Sequence, residues 1–364
     1  MKISDREILI WLNSIGVNNN NIKKIISHFG NLTELWEADN KEIYHMDGLV
    51  EEAKEKITKN RNIGYIEKLF NRLEKLKIDT ITIYDDNYPA SLRYIYDSPN
   101  VLYIKGEILE EDSLSLAIVG SRKATAYGKW ACEKFSRELV DLGVTIVSGL
   151  AAGIDTVAHK TAVNNGGRTI GVLGNGIDIV YPKKNISLFE KIVENGAVIS
   201  EFPLGTPPLP YNFPQRNRII SGLSMGVIVI EAQEKSGSLI TAHHALEQGK
   251  EVFALPGNIN SIYSGGTNKL IKDGAIPLLD IEAIIDEVHE LRLKQRSNKV
   301  VNIDYSNLSE TEIKVIELLK EAPLYIDVIA YRIGADISTI NSVLTILELK
   351  GIIKELPGKL FTIC

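Results

Sequence analysis

The sequence predicts an α/β chain in which a mostly parallel sheet lies between two helical end units. Three observations predict it. Between Leu114 and about Glu290, short and nearly continuous apolar runs alternate with amphipathic stretches of helix length. Small-residue loops follow those runs where helices begin. On either side of this block, apolar residues recur at helical spacing instead. Runs without polar alternation are what strands covered on both faces require, and helices between them supply the cover.

Residues 1–77 read as the first helical unit. Ile8, Leu9, Trp11 and Leu12, then Ile22, Ile25, Ile26 and Phe29, fall at helical spacing, and Gly16, Gly30 and Gly48 mark helix ends. The order helix, glycine turn, helix (His28-Phe29-Gly30, then Met46-Asp47-Gly48-Leu49) reads as a helix-hairpin-helix or SAM-like module. Such hairpins grip phosphate through backbone amides at a glycine turn. Val50 stands where the second hairpin glycine belongs, so packing is the expected role. Residues 78–106 open the central domain as an irregular connector, with Tyr84, Tyr88, Tyr94 and Tyr96 interleaved with aspartates. Its tyrosines are expected to pack on their neighbour, base stacking being the alternative.

The central domain, 78–290, supplies candidate strands at Leu116–Val119, Val144–Ser148, Arg168–Leu173, Ala197–Ser200, Val227–Glu231, Glu251–Ala254 and Ala275–Leu278. In an open parallel sheet the ligand lies beyond the carboxyl ends of the strands. The candidate chemistry falls there. Gly120, Ser121, Arg122 and Lys123 follow the first strand, Ser148 and Gly149 end the second, and Lys184 lies after the third. Ser236, Gly237, Ser238 and Thr241 follow the fifth. Small residues let a backbone approach an oxyanion, and a helix start adds amide donors. The run Phe213-Pro214-Gln215-Arg216-Asn217-Arg218 brings two guanidinium forks to another loop-to-helix turn. Between Ser121 and Arg137 stand Arg122, Lys123, Lys129, Lys134 and Arg137 against Glu133 alone, a local excess of positive charge. Together these residues predict a pocket for a polyanion.

The tail begins with a polar linker, 291–305, and continues as a compact unit, 306–364. Leu308-Ser309 starts a helix, Tyr325–Ile333 forms a second, and Asp336-Ile337-Ser338 opens a third that runs to Gly351. A hairpin follows through Pro357-Gly358. Helix, turn, helix and hairpin is a winged-helix pattern. A duplex-reading third helix would present cations to the groove. Here only Lys350 does so, beside Asp336 and Glu348, so duplex reading has little support and a protein-contact or regulatory role stands at least beside it.

Composition sets the outer limits. The chain has 364 residues, a net charge of −6 and an apolar fraction of 44%, which suits several globular domains and argues against a generally basic coat. Two cysteines, Cys132 and Cys364, make no disulfide framework, and no signal-like segment or spanning run is read, so a cytoplasmic protein without membrane contact is expected. No Gly-x-x-x-x-Gly-Lys-Ser/Thr loop is present, and no Gly-x-Gly-x-x-Gly follows the first strand. Asp155, His159, His243 and His244 lack metal-ligand spacing. Ser148, His159 and Asp155 make no triad, because the last two are too local and the nucleophile elbow is absent. No catalytic residue, metal or cofactor is expected.

The central block closely resembles the DNA-processing protein A family (DprA, also called Smf). The resemblance rests on Ile118-Val119-Gly120-Ser121-Arg122, Ser148 to Asp155 with Ala158-His159, and Val172 to Asp178 with Tyr181-Pro182. It continues through Ser200-Glu201, Phe213 to Ser224, Glu231-Ala232, Ser236 to Ala242, Leu255-Pro256-Gly257 and Gly266-Thr267-Asn268. It implies an extended Rossmann-like fold that binds single-stranded DNA without strong sequence preference. It also implies protection of incoming strands in natural transformation, loading of the RecA recombinase, and homodimers formed through the Rossmann-like domain. By motif, Ser121 and Arg122 would hold backbone phosphates and Gly120 would allow their approach. Arg216 and Arg218 would line or brace the pocket, or one of them would pair internally with Glu201 or Glu231. A runner-up class shares the fold: nucleotide-binding or N-glycosidic-bond-cleaving enzymes with a Pro-Gly-Gly-x-Gly-Thr-x-x-Glu signature. Here Ser236-Gly237-Ser238-Leu239-Ile240-Thr241 lacks that glutamate, which favours a binder over an enzyme.

Overall fold

The computed structural model describes residues 3–298, Tyr305 and 308–363. They gather into two compact units, one running to Glu290 and the other beginning at Leu291. The first is built on a nine-stranded sheet of order β1-β2-β6-β5-β4-β3-β7-β8-β9. Its strands are β1 (Asp79–Thr82), β2 (Val101–Gly106), β3 (Ser115–Val119), β4 (Thr145–Ser148), β5 (Thr169–Val172), β6 (Gly196–Ser200), β7 (Gly226–Val229), β8 (Glu251–Ala254) and β9 (Ile276–Pro277). From β6 to β9 every neighbouring pair is parallel, whereas β1–β2 and β2–β6 are antiparallel. The strand order reverses at β3, which has β4 on one side and β7 on the other. That reversal opens a crevice between the loops leaving β3 and β7.

The expected strands are all present, shifted by one or two residues at their ends. The connector is the exception. Its Val101-Leu102-Tyr103-Ile104 run forms β2 and is wholly buried, while Asp79–Thr82 pairs with it as an edge strand. Proline, aspartate and serine between them obscure the periodicity. Tyr88 and Tyr103 are core residues, but Tyr94 and Tyr96 are 90% and 95% exposed.

Strand pleating sorts the apolar side chains onto two faces. Val101, Tyr103 and Val198 join one core cluster, while Leu102, Ile104, Ala197 and Ile199 join the other. The first cluster extends into the N-terminal helices. Helix Asp5–Ser14 starts at a Ser4–Glu7 capping box and buries Ile8 through Asn13 around most of its circumference, which marks a central helix rather than a surface one. Asn13 donates to Glu201 O at 3.2 Å and accepts from the Tyr103 hydroxyl at 2.9 Å, tying that helix to the sheet. Gly30 and Gly48 do turn the chain at positive φ, and Val50 caps helix Glu51–Asn60 without a side-chain bond.

In the second unit, helices Glu310–Glu321, Ile326–Ile333 and Ile337–Leu349 pack on a small antiparallel sheet of β10 (Leu324–Tyr325), β11 (Ile353–Leu356) and β12 (Leu360–Ile363), ordered β10-β12-β11. This is the winged-helix arrangement. Of the expected linker, Leu291–Asn298 continues a helix that starts at His289, and 299–304, 306 and 307 lie outside the described residues. Among the described residues no helix is long and apolar enough to cross a membrane.

Candidate nucleic-acid interface

A cavity of about 650 Å³ opens at the strand-order reversal. Its floor is the end of β3, Val119-Gly120-Ser121, continued by Arg122 and Lys123. Its walls are Ala151 and Asp155, the start of helix Asn212–Leu223, and the first turn of helix Gly237–Glu247. Packing fixes this floor. A Cβ on Gly120 would meet Ile154 at 2.8 Å, and one on Gly153, whose φ is +85°, would strike Ser121 O at 2.1 Å. Glycine is therefore required for the two loops to lie against each other.

Arg216 is the unusual member. It is 3% exposed, and among the described residues no carboxylate lies within ion-pair distance of it. One Nη donates to Val172 O, but its Nε has no partner. Burial pushes the guanidinium down to about 10, with the Arg122 charge acting in the same direction against the help of Asp155. Gly149 makes the room: a Cβ there would lie 2.4–2.7 Å from the Arg216 guanidinium. Arg122 is exposed, its Cζ 5.1 Å from the Phe213 ring centroid, while that of Arg216 is 6.0 Å away. Tyr181 tilts against the same ring at 5.9 Å. Two cations and two aromatics thus converge at the mouth.

Among the described residues the only carboxylate lining the cavity is Asp155. Burial pushes it up, and it accepts from Ala151 N at 3.3 Å. Helix Gly237–Glu247 starts at Ser236, whose Oγ accepts from Ser238 N, so its first amides lie at the cavity wall. Asn217 lines the cavity and donates to Gly237 O at 3.2 Å, holding the two helix starts together.

Of the predicted residues, Gly120, Ser121, Arg122, Lys123, Arg216, Asn217, Ser236, Gly237, Ser238 and Thr241 line this cavity. Ser148, Gly149, Lys184 and Arg218 do not. The Ser148 hydroxyl is buried and donates to Ile118 O at 2.6 Å, and Gly149 makes way for Arg216 and hydrogen-bonds Asp155 through its backbone. Lys184 is exposed on the short turn Lys183–Asn185, outside the lining. Arg218 has all five donors occupied: Glu201 takes two at 2.7 and 2.6 Å, Asp97 takes two, and Gln215 O one. Residues two apart on a helix point to opposite sides, so Arg218 faces away from Arg216. The internal pairing with Glu201 is the alternative realised.

Phe213, Tyr181 and Asp155 line the cavity without having been predicted as binding residues. Phe213 was legible as the first residue of the arginine motif. Tyr181 depends on the path of its loop. His159 is a core residue whose Nδ1 lies 2.7 Å from Thr169 Oγ1, and burial pushes it down to about 3, so it stays neutral. Burial pushes the Cys132 thiol up to about 12, leaving it unreactive. Among the described residues no cluster of acidic, histidine or cysteine side chains fits a metal.

The comparisons with known proteins fall on both units. The profile of the DNA recombination-mediator protein A family matches residues 79–289, and that of the DprA winged helix domain matches 304–359. The chain belongs to the DNA recombination-mediator protein A family. Within the family it is similar to Protein Smf of Escherichia coli strain K12, 44% identical over 276 residues that cover 74% of each chain. Among solved structures, the DNA processing protein A (DprA) of Streptococcus pneumoniae superimposes with a TM-score of 0.69 at 39% identity, over 79% of this chain and 99% of that one. The DNA processing protein A of Helicobacter pylori, solved for its single-stranded DNA binding mode, gives 0.53 at 33% identity, over 59% and 96%.

Proposed function

We propose that the cavity holds the backbone of single-stranded DNA, and that the protein shields incoming strands in natural transformation and recombination and helps load the RecA recombinase. The observation that carries this reading is Arg216: a buried guanidinium with an unpartnered Nε and, among the described residues, no ion-pair partner, beside exposed Arg122. A buried charge left unpaired is costly, and an entering phosphate removes the cost. Ser121, the amides of helix Gly237–Glu247 and Lys123 add donors, while Phe213 and Tyr181 offer ring faces to bases without reading their edges. The single-stranded DNA named for the Helicobacter pylori relative agrees with this chemistry. The protein acts as a cytoplasmic homodimer, joined through the α/β unit, and binds rather than catalyses.

Fluorescence anisotropy with a labelled single strand, its duplex and free mononucleotides tests the binding. Wild type should prefer the single strand. Arg122→Ala should weaken it by roughly 10- to 100-fold, the worth of a charge-assisted hydrogen bond, and flatten the log–log salt slope by about 0.7. Lys184→Ala should change affinity less than about two-fold, as expected for an exposed charge outside the cavity. Unchanged affinity and slope in Arg122→Ala would sink the site. Nucleotide hydrolysis abolished by Asp155→Asn would replace binding with the enzymatic alternative. RecA loading predicts a shorter lag in RecA ATP hydrolysis on coated strands, and an unchanged lag removes that part.

A further inference from the structure

Helix Ala126–Asp141 leaves the cavity floor a few residues after Lys123 and exposes two aromatic rings on one face. Tyr127 is 46% exposed and Trp130 is 58% exposed, and their rings stack with centroids 6.1 Å apart and planes 25° apart. The pair is held in place. The Tyr127 hydroxyl donates to Pro256 O at 3.1 Å, anchoring the ring to the segment after β8. The helix start is anchored as well. Glu231 accepts from the Thr125 backbone at 2.9 Å and from its hydroxyl at 2.5 Å, and a Cβ on Gly128 would lie 2.4 Å from the Glu231 carboxylate. The rings are thus registered to the cavity through a short, cross-linked piece of chain.

Lys123 precedes this face, exposed, and among the described residues no carboxylate pairs with it, while Lys129, two residues from Tyr127, lies on the other side of the helix. A stacked tyrosine and tryptophan kept in water, with the tyrosine anchored and an unpaired ammonium group ahead of them, suits a ligand with a flat apolar face and negative charge alongside. We propose that Tyr127 and Trp130 form a second stacking platform, outside the cavity, for an unpaired base of the strand that leaves it. The proposal rests on the single-strand reading above. It adds the direction of the strand, past Lys123 and along helix Ala126–Asp141.

The sequence supplies the probe. Of three tryptophans, Trp11 is buried and Trp36 half-buried against it, so Trp130 is the exposed reporter. A thymidine twenty-mer should quench the tryptophan emission of the full chain, and Trp130→Phe should abolish the quenching while binding within about two-fold of wild type. Trp130→Ala should lose roughly ten-fold in affinity for the twenty-mer, the scale of one stacked base, with an unchanged salt slope. Its affinity for a thymidine trimer, confined to the cavity, should stay at the wild-type value. Arg122→Ala should lose affinity at both lengths and flatten the slope, which separates the two sites. Equal twenty-mer affinity in Trp130→Ala and wild type overturns the platform while leaving the cavity standing. A shift in sedimentation of Trp130→Ala without any change in DNA affinity also overturns it, by making the rings a contact between copies. Wild type that binds neither oligonucleotide overturns both readings.

Discussion

Arg216 and Arg218 stand two residues apart on one helix, both buried, and their surroundings could hardly differ more. On the Arg218 side, two carboxylates and two carbonyls occupy every donor, and Glu201 and Asp97 hold the guanidinium above its ordinary value although burial opposes them. A second cavity of about 580 Å³ borders that cluster, lined by Asp97, Glu201, Asn19 and Lys23, but its buried charges are already matched. On the Arg216 side the charge faces one backbone carbonyl, Asp155 without an ion pair, and a second arginine. The lesson is that burial and charge do not make a site by themselves. A matched buried arginine is structure, and an unmatched one at a cavity is where the proposed phosphate site would lie.

The largest expected effect comes from unmatching the closed side. Glu201→Ala should destabilise the fold by about 3–5 kcal/mol in urea unfolding, since Arg218 would be left buried without its main partner. Single-strand affinity below the melting range should stay near wild type. Equal stability in the variant would mean the two sides are not as different as the geometry says. The next effect tests the open side. Arg216→Met should reduce single-strand affinity by roughly 30-fold or more, about 2 kcal/mol, while its unfolding free energy moves by only about 1 kcal/mol. A stability loss as large as that of Glu201→Ala would make Arg216 a structural group too.

A third effect, of about 2 kcal/mol, is set by pH. His159 titrates near 6.5 when unfolded, but burial holds it near 3 in the fold, with Arg216 opposing its charge as well. Between those values the unfolded chain binds the extra proton, so stability rises with pH. The contribution is complete above about pH 6.5 and is lost as pH falls, by about 2 kcal/mol at pH 5 at 1.36 kcal/mol per unit. His159→Gln should flatten this acid limb in a pH series of urea melts. An unchanged limb would assign the acid sensitivity elsewhere.

Much of this was legible in the chain. The seven parallel-sheet runs, the glycine loops after them and the arginine motif are local signals, because strand burial and helix starts leave local patterns. The strands of the connector were not, since an antiparallel edge interrupted by Pro89, Tyr94 and Tyr96 has no period long enough to read. Within the site, Ser121, Arg122 and Ser236 were predictable from their place at strand ends. Tyr181 was not, because its ring contact with Phe213 joins segments far apart in sequence.

The amino-acid order by itself determined the α/β class, the winged-helix tail and the clustering of positive charge and small-residue loops at the strand ends. All of these follow from periodicity, turn chemistry and charge along the chain. Only the tertiary structure decided which arginine is free. That choice depends on where Glu201 and Asp97 arrive in space, brought by the end of β6, 17 residues before Arg218, and by the connector, 121 residues before it. Charge matching at contact distance is a property of the packed molecule, and no linear spacing records it.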